Sequence, residues 1–179
     1  YNVVKIGSQL WINENLQYEY GLPINPNSTP STPAAWYYNK NKNQYGLDSI
    51  YKVGLLYNWY AVIEMSENNI FPNGWRIPDN DDIDKLQNKA GNLSTPLKAI
   101  SAPSVNNWGG TDEYNFNALP TGLYEAGTFR SIDVDCNLWT TYETPANLGR
   151  AYGFDSTTKF WRYGADKTKG YAVRLCKDV

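Results

Sequence analysis

The residues best equipped for chemistry stand together in NGWRIPDNDDIDKL, Asn73 to Leu86. There Gly74, Trp75, Arg76 and Pro78 precede Asp79, Asp81, Asp82 and Asp84. Carboxylates this dense suit three jobs: holding a hard cation, acting as an acid/base pair, or charging the start of a helix. A calcium loop of the common type needs alternating oxygen ligands, a central glycine and a distal glutamate. NDDIDKL lacks the last two. The helix start accounts for more of the residues. Pro78 has no backbone donor and drives Ile77 towards an extended conformation. Asp79 then falls at the N-cap and Asp82 three residues later, the capping-box spacing. Asp81 lies in the first turn, where the helix dipole favours a negative charge by about 0.3–1 kcal/mol. On this reading Asp84 is solvated, Arg76 pairs with a nearby carboxylate or carbonyl, and Gly74-Trp75 is a turn feeding a buried tryptophan. No metal ligand set and no cofactor are expected.

The other reactive residue types are sparse. The 179-residue chain has no histidine, which removes the usual general base, the usual zinc ligand and the Ser-His triad. Glu64, Glu113, Glu125 and Glu143 offer carboxylates, but no motif pairs them for glycoside cleavage. The expectation is therefore a protein that is not an enzyme. Cys136 and Cys176 are the two cysteines. Two readings stay open: one disulfide, for which chain entropy gives about 4 kcal/mol, or two separate buried thiols.

Charged residues are 19% of the chain and the net charge is −2, so no basic field exists to hold a nucleic acid. No apolar run is long enough to span a membrane. The chain opens directly into a strand-like segment, so any leader is expected to have been removed or never to have existed. The aromatic share is high, with 15 Tyr and 7 Trp. These side chains combine an apolar body with a polar tip and fill either a core or a binding surface.

The elements that must position these groups are legible in outline. VVKIGSQLWI, Val3 to Ile12, alternates around Gly7-Ser8 and predicts a hairpin with a II′ turn. GLPINPNSTPSTP, residues 21–33, predicts an irregular surface excursion. GLLYNWYAVIEM, Gly54 to Met65, places Leu55, Leu56, Trp59, Val62 and Ile63 at helical spacing. A second helix is predicted from about Asn80 to Ala90, stopped by Gly91. Strands are predicted at Leu123-Tyr124, Thr128 to Arg130, Leu138 to Tyr142, Lys159 to Tyr163 and Tyr171 to Cys176. Two helices among short strands predict a single α+β domain over 1–179.

Six segments in order carry a family resemblance: VVKIGSQLWINENLQY, GLLYNWYAV, GWRIPDNDDIDKL, FNALPTGLYEAGTF, LWTTYET and GYAVRLCKD. Together the chain resembles the Fibrobacter succinogenes major paralogous domain, a family of secreted or surface-attached bacterial modules. Asp79 stands in place of the family's Ser or Thr cap and Ile83 in place of a tryptophan. Leu175 separates Arg174 from Cys176, where the family often has cysteine directly after the arginine. The resemblance implies a C-type-lectin-like fold: paired N- and C-terminal strands, two helices, and a loop region with a small sheet as binding face. The tripeptides of calcium-bridged sugar binding (Glu-Pro-Asn or Gln-Pro-Asp, with Trp-Asn-Asp) are absent from the sequence.

The function expected is a non-catalytic extracellular binding module of a bacterial surface protein or lipoprotein, with any lipid anchor outside this chain. Its ligand is expected to be a glycan or a protein. Flat aromatic rings take sugar faces and neighbouring polar groups orient them. The candidate ligand-binding residues are Asn106, Asn107, Trp108, Tyr142, Trp161, Arg162 and Tyr163; Trp139, inside an apolar strand, is expected in the core, and Trp36, Tyr37 and Tyr38 are open to either role. The alternatives are an assembly domain of an adhesin or pilus, or a ligand-binding protein diversified by a retroelement. An enzyme of the formylglycine-generating type is the weakest reading, because its paired cysteines lie close together and those here do not.

Overall fold

The two ends of the chain meet in one sheet. In the computed structural model, which describes residues 1–37, 54–101 and 108–179, β1 (Val3–Ile6) and β2 (Gln9–Ile12) form an antiparallel hairpin with Ile6 opposite Gln9. Gly7 has φ +62° while Ser8 stays out of the left-handed region, as a II′ turn demands. The last strand, β10 (Cys176–Asp178), pairs with the other edge of β2 and sets Cys176 opposite Trp11. The predicted terminal pairing is thus present in the order β1-β2-β10.

The first predicted helix is shorter and later than its periodicity suggests. Leu55–Tyr57 is a fully buried strand, β4, paired with β3 (Ala35–Tyr37), and α1 runs Trp59–Glu67. The residue between them decides this. Asn58 takes an extended conformation, and its Oδ1 accepts from the N–H groups of Ala61 and Ala34. Its Nδ2 donates to the carbonyls of Pro30 and Thr32, so this N-cap also anchors the Pro-rich excursion. Helical spacing could not separate a short buried strand from the first turn of a helix.

The second helix, α2, spans Asn80–Lys89 and carries the full Asp79/Asp82 capping box. Ile83 and Leu86 are buried, and Gly91 beyond the helix has φ +67°.

A hairpin of β5 (Leu123–Glu125) and β6 (Thr128–Arg130) leads to the largest sheet, β7 (Cys136–Glu143), β8 (Gly149–Phe154) and β9 (Trp161–Ala165). Both faces of this sheet are covered. On one face, Leu138 and Tyr152 join a core that includes Ile83 and Leu86 of α2. On the other, Trp139 and Ala151 join a core that includes Trp59 and Val62 of α1. The central strand, β8, was not predicted, because glycines break its pattern. Their reason is steric: a Cβ on Gly149 would lie 2.6 Å from Cδ1 of Trp59. The tryptophan packing excludes a side chain there.

The segment predicted as a strand from Tyr171 to Cys176 becomes a ladder strand only at its end. Before that it crosses between sheets, bridging Tyr171 to Tyr57 and Ala172 to Leu138. Arg174 is buried on this crossing. Its Nε donates to Asn15 Oδ1 at 2.8 Å, and its other nitrogens donate to the carbonyls of Phe116 and Asn117. Among the described residues the architecture is α+β, with two helices and several small antiparallel sheets. Among the described residues no helix is long and apolar enough to cross a membrane.

Candidate functional site

The acidic stretch that dominates the sequence is a structural joint. Asp82 is 1% exposed and accepts four hydrogen bonds. Oδ1 receives Gln9 Nε2 at 2.7 Å and Arg76 Nη2 at 2.6 Å; Oδ2 receives Arg76 Nε at 3.0 Å and the Asp79 N–H at 3.2 Å. A carboxylate offers about four acceptor positions, so Asp82 has none left for a ligand. Arg76 also reaches Asp178 at 2.9 Å, which ties α2 to the C-terminal strand. Hydrogen bonding to Asp82 raises the Arg76 pKa further. Asp84, expected to be free in solvent, instead pairs with Arg162 at 2.7 Å while staying half-exposed. Trp75, expected to be buried, is partly exposed, with Lys177 Nζ 5.3 Å from its ring centroid. Among the described residues, no group of three or more His, Cys, Asp or Glu is placed to hold a metal ion.

The sequence-predicted ligand residues divide. Trp108, expected at a binding surface, lies in the core. It is 1% exposed, its Nε1 donates to the Ala118 carbonyl at 2.9 Å, and Lys98 Nζ lies 5.0 Å from its ring centroid. The flanking polar residues suggested exposure, but the chain folds over this indole as a core wedge. Asn106 and Asn107 lie outside the described residues, as does Tyr38. Trp36 is core, stacked on Tyr124, and Tyr37 is half-buried. Trp139 is fully buried as expected, donating to the Tyr57 carbonyl. Cys136 and Cys176 are both buried and free, not bridged. Burial pushes the Cys136 thiol up to about 12.

Trp161 and Tyr163 do come together, because residues two apart on β9 share a face. They border a depression of about 380 Å³ together with Asp135, Asn137, Gly153 and Asp155. The β-ladder builds it: Asn137, Gly153 and Trp161 are successive cross-strand partners on β7, β8 and β9. Gly153 keeps the floor open, since a Cβ there would meet the Cys136 carbonyl at 2.7 Å and Asn137 Oδ1 at 3.3 Å. Trp161 is 42% exposed, and its Nε1 donates to Asp155 Oδ2 at 3.0 Å. Tyr163 donates its hydroxyl to Asn137 Oδ1. Arg162 contributes to the wall, but its guanidinium turns to Asp84 of α2. Tyr142 belongs elsewhere: it is 39% exposed near the far end of β7, with the Arg150 guanidinium 5.7 Å from its ring centroid.

The two carboxyls of the depression differ. Burial raises the Asp135 carboxyl, the Ser131 side chain opposes this, and the charge of Asp155 adds to it. Burial pushes Asp155 up too, but hydrogen bonds from Thr157 and Trp161, and the charge of Lys98, leave it below the usual value. Asp155 Oδ1 accepts the Thr157 N–H and hydroxyl, and Oδ2 accepts Trp161, which leaves acceptor capacity on Oδ2.

Asp135, Asn137, Gly153 and Asp155 were missed from the sequence. One signal was available: Asn137 is a polar residue inside the apolar run CNLWTT. Another was Asp155 at the head of DSTT, an Asx-turn arrangement.

A larger groove of about 420 Å³ lies near the N-terminus, bordered by Tyr1, Val3, Leu16, Tyr18, Phe71 and Trp75. Its walls are mostly apolar, so it offers contact area with little to orient a polar ligand. The smaller depression joins an exposed indole to several converging polar groups, and it is the better candidate for recognition.

No curated protein and no solved structure matches the chain. The family model described as the Fibrobacter succinogenes major domain matches residues 4–177, nearly the whole chain, and the protein therefore belongs to that family.

Proposed function

We propose that this domain is a non-catalytic binding module that takes a glycan in the depression formed by β7, β8 and β9. One observation carries the reading: the half-exposed Trp161 indole is held by Asp155 at the rim of a cavity that also contains Asn137, Asp135 and Tyr163. A fixed aromatic face suits the C–H face of a sugar ring, and the surrounding carboxylate and amide groups suit its hydroxyls. A C-type-lectin-like fold and placement at a bacterial surface complete the proposal. The terminal pairing of β10 on β2 and the small sheet bearing the depression support the fold. Calcium bridging forms no part of it.

The test is a glycan array read with wild type and Trp161→Ala, with folding checked by circular dichroism. Binding that is present in wild type and lost in the folded variant supports the site. A folded variant that binds every glycan as well as wild type overturns it.

A second reading is glycoside cleavage, favoured by the opposite pKa shifts of Asp135 and Asp155 around one cavity. The acceptor load already on Asp155 weighs against it as a base or nucleophile. Turnover of a chromogenic glycoside by wild type, abolished by Asp135→Asn, would establish this reading in place of the first.

A further inference from the structure

All the arginines but Arg150 are tied to named acceptors. Arg76 pairs with Asp82 and Asp178, Arg130 reaches Glu125 at 3.8 Å, and Arg162 pairs with Asp84. Buried Arg174 donates to Asn15 and to two carbonyls. Arg150 makes no side-chain hydrogen bond and no ion pair among the described residues. It is half-buried on the central strand β8, and its Nε is sealed from solvent without a partner. The two Nη groups are therefore the open edge of the guanidinium. The Tyr142 ring centroid lies 5.7 Å from the guanidinium carbon, and a contact through a ring face uses none of the N–H donors.

A bulge of β7 presents this pair. Trp139 stands opposite Ala151 and Glu143 opposite Gly149, so Thr140, Thr141 and Tyr142 share Arg150 between them. Bulges re-aim side chains, and this one is held from both sides. The Thr140 carbonyl accepts Trp59 Nε1 at 3.0 Å, and the Thr140 hydroxyl donates to the Arg150 carbonyl at 3.0 Å. The Thr141 N–H donates to the Pro78 carbonyl at 3.0 Å, and the Tyr142 N–H to Thr140 Oγ1 at 3.3 Å. The backbone of the bulge is thus fixed without a ligand.

The neighbouring carboxylates are committed elsewhere. Asp84 stays with Arg162 at 2.7 Å, Glu143 with Lys167 at 2.9 Å, and Asp79 with the α2 capping box. Asp81, in the first turn of α2, makes no ion pair among the described residues. Arg162 shares the Arg150 face of the sheet, because it stands opposite Tyr152, two residues on from Arg150. That face carries two guanidiniums, of which Asp84 neutralises one.

We infer that the β7 bulge is a second binding site, in which the Nη edge of Arg150 takes the carboxylate of a uronic-acid sugar. Trp161 is the neighbour of Arg162 on β9 and so points to the opposite face of the sheet. The bulge site therefore stands independently of the glycan reading of the depression. A planar edge of two nitrogens matches a planar carboxylate through two parallel hydrogen bonds. The Tyr142 hydroxyl has no hydrogen bond among the described residues, and its ring is partly exposed. Together they meet the hydroxyls and C–H groups of the sugar. A peptide carboxylate fits less well. The N–H groups of Thr141 and Tyr142 are both taken, so the bulge offers no strand edge to a peptide backbone.

The experiment is calorimetric titration of the whole domain with three probes: tetragalacturonate, its neutral methyl ester and a tetraglutamate peptide. The variants are Arg150→Lys, Tyr142→Ala and Trp161→Ala, each checked for folding by circular dichroism. Tetragalacturonate is expected to bind wild type, and the ester to bind about tenfold more weakly or less, the scale of one charge-assisted hydrogen bond. Arg150→Lys keeps the charge but loses the fork, and is expected to weaken tetragalacturonate binding by about tenfold. Tyr142→Ala is expected to weaken it by a smaller factor. Absence of tetragalacturonate binding, equal binding of the ester, or unchanged affinity in Arg150→Lys overturns the inference. Tetraglutamate binding that matches tetragalacturonate and falls in Arg150→Lys overturns the sugar assignment in favour of a protein carboxylate. Tetragalacturonate binding lost in Trp161→Ala and kept in Arg150→Lys places the carboxylate in the depression and overturns the bulge site. The glycan array with Trp161→Ala tests the depression separately.

Discussion

Asp82 lies in the first turn of α2 and Asp155 directly after β8, and both accept hydrogen bonds from neighbouring side chains. Asp82 is sealed, and its acceptor positions are filled by Gln9, Arg76 and Asp79. Asp155 is half-buried, holds Trp161 by one oxygen and borders a cavity with Asp135. A carboxylate whose acceptors are all taken by the protein builds the fold. One that keeps capacity at a cavity rim beside an exposed indole can recognise something else. Charge density along the sequence points to the first kind and says nothing of the second.

The comparison can be broken by measuring stability and binding at paired positions. The largest stability loss is expected for Trp108→Ala, about 3–5 kcal/mol for a buried indole, against a much smaller loss for the half-exposed Trp161→Ala. Urea unfolding measures both, and equal losses would mean that Trp161 is also a core residue. Next comes Asp82→Ala, expected to cost about 3 kcal/mol, at the low end for breaking a buried ion pair because the Arg76 side chain is 35% exposed. Asp155→Asn is expected to cost less than about 1 kcal/mol, as for other partly exposed polar substitutions, while weakening ligand binding more than Asp82→Ala does in folded protein.

A smaller effect concerns pH. The folded-state pKa of Asp155 is lowered, so its stabilising contribution is complete above the ordinary aspartate value and is lost as pH falls through the lowered value. Asp135 is shifted the other way, so its contribution is complete below the ordinary value and is lost as pH rises through the raised one. On acidification Asp135 therefore loses its charge first and Asp155 last. Affinity for a glycan bound on the array, followed by calorimetry, is expected to fall in that order, and a single loss below the ordinary aspartate value would remove Asp135 from the site. The smallest effect sought is at the thiols. Cys136 and Cys176 are expected to resist alkylation in the native protein and both to react after denaturation without reductant. Failure to react in denaturant would show a bridge.

Much of the scaffold was legible because its causes are local. The Asp79 cap, the Gly7 turn and the Gly91 stop each depend on a few adjacent residues. The α1 boundary was not legible, because Asn58 caps the helix while also binding the excursion at Pro30 and Thr32. Strand β8 was hidden because Gly149 answers to Trp59 and Trp139, and Gly153 to the Cys136 carbonyl and Asn137, all on other elements. For the site, Trp161 and Tyr163 followed from their residue type and from the place of their segment in the resembled fold. Their partners Asp135, Asn137 and Asp155 did not, because they enter from β7, its approach and the end of β8.

Tryptophan shows where the boundary falls. Trp108 in NNWGG and Trp161 in KFWRYG have similarly mixed neighbours, yet one is core and the other half-exposed. The amino-acid order alone determined the capped helix, the first hairpin, the α+β class and the family, because capping, turn geometry and periodicity act over a few residues and the family segments recur in order. Tertiary structure decided which indole meets solvent, which aspartate keeps acceptor capacity and which charges meet across the depression. Those outcomes depend on packing between segments far apart in the chain, where a single close approach, such as Gly149 against Trp59, settles what fits.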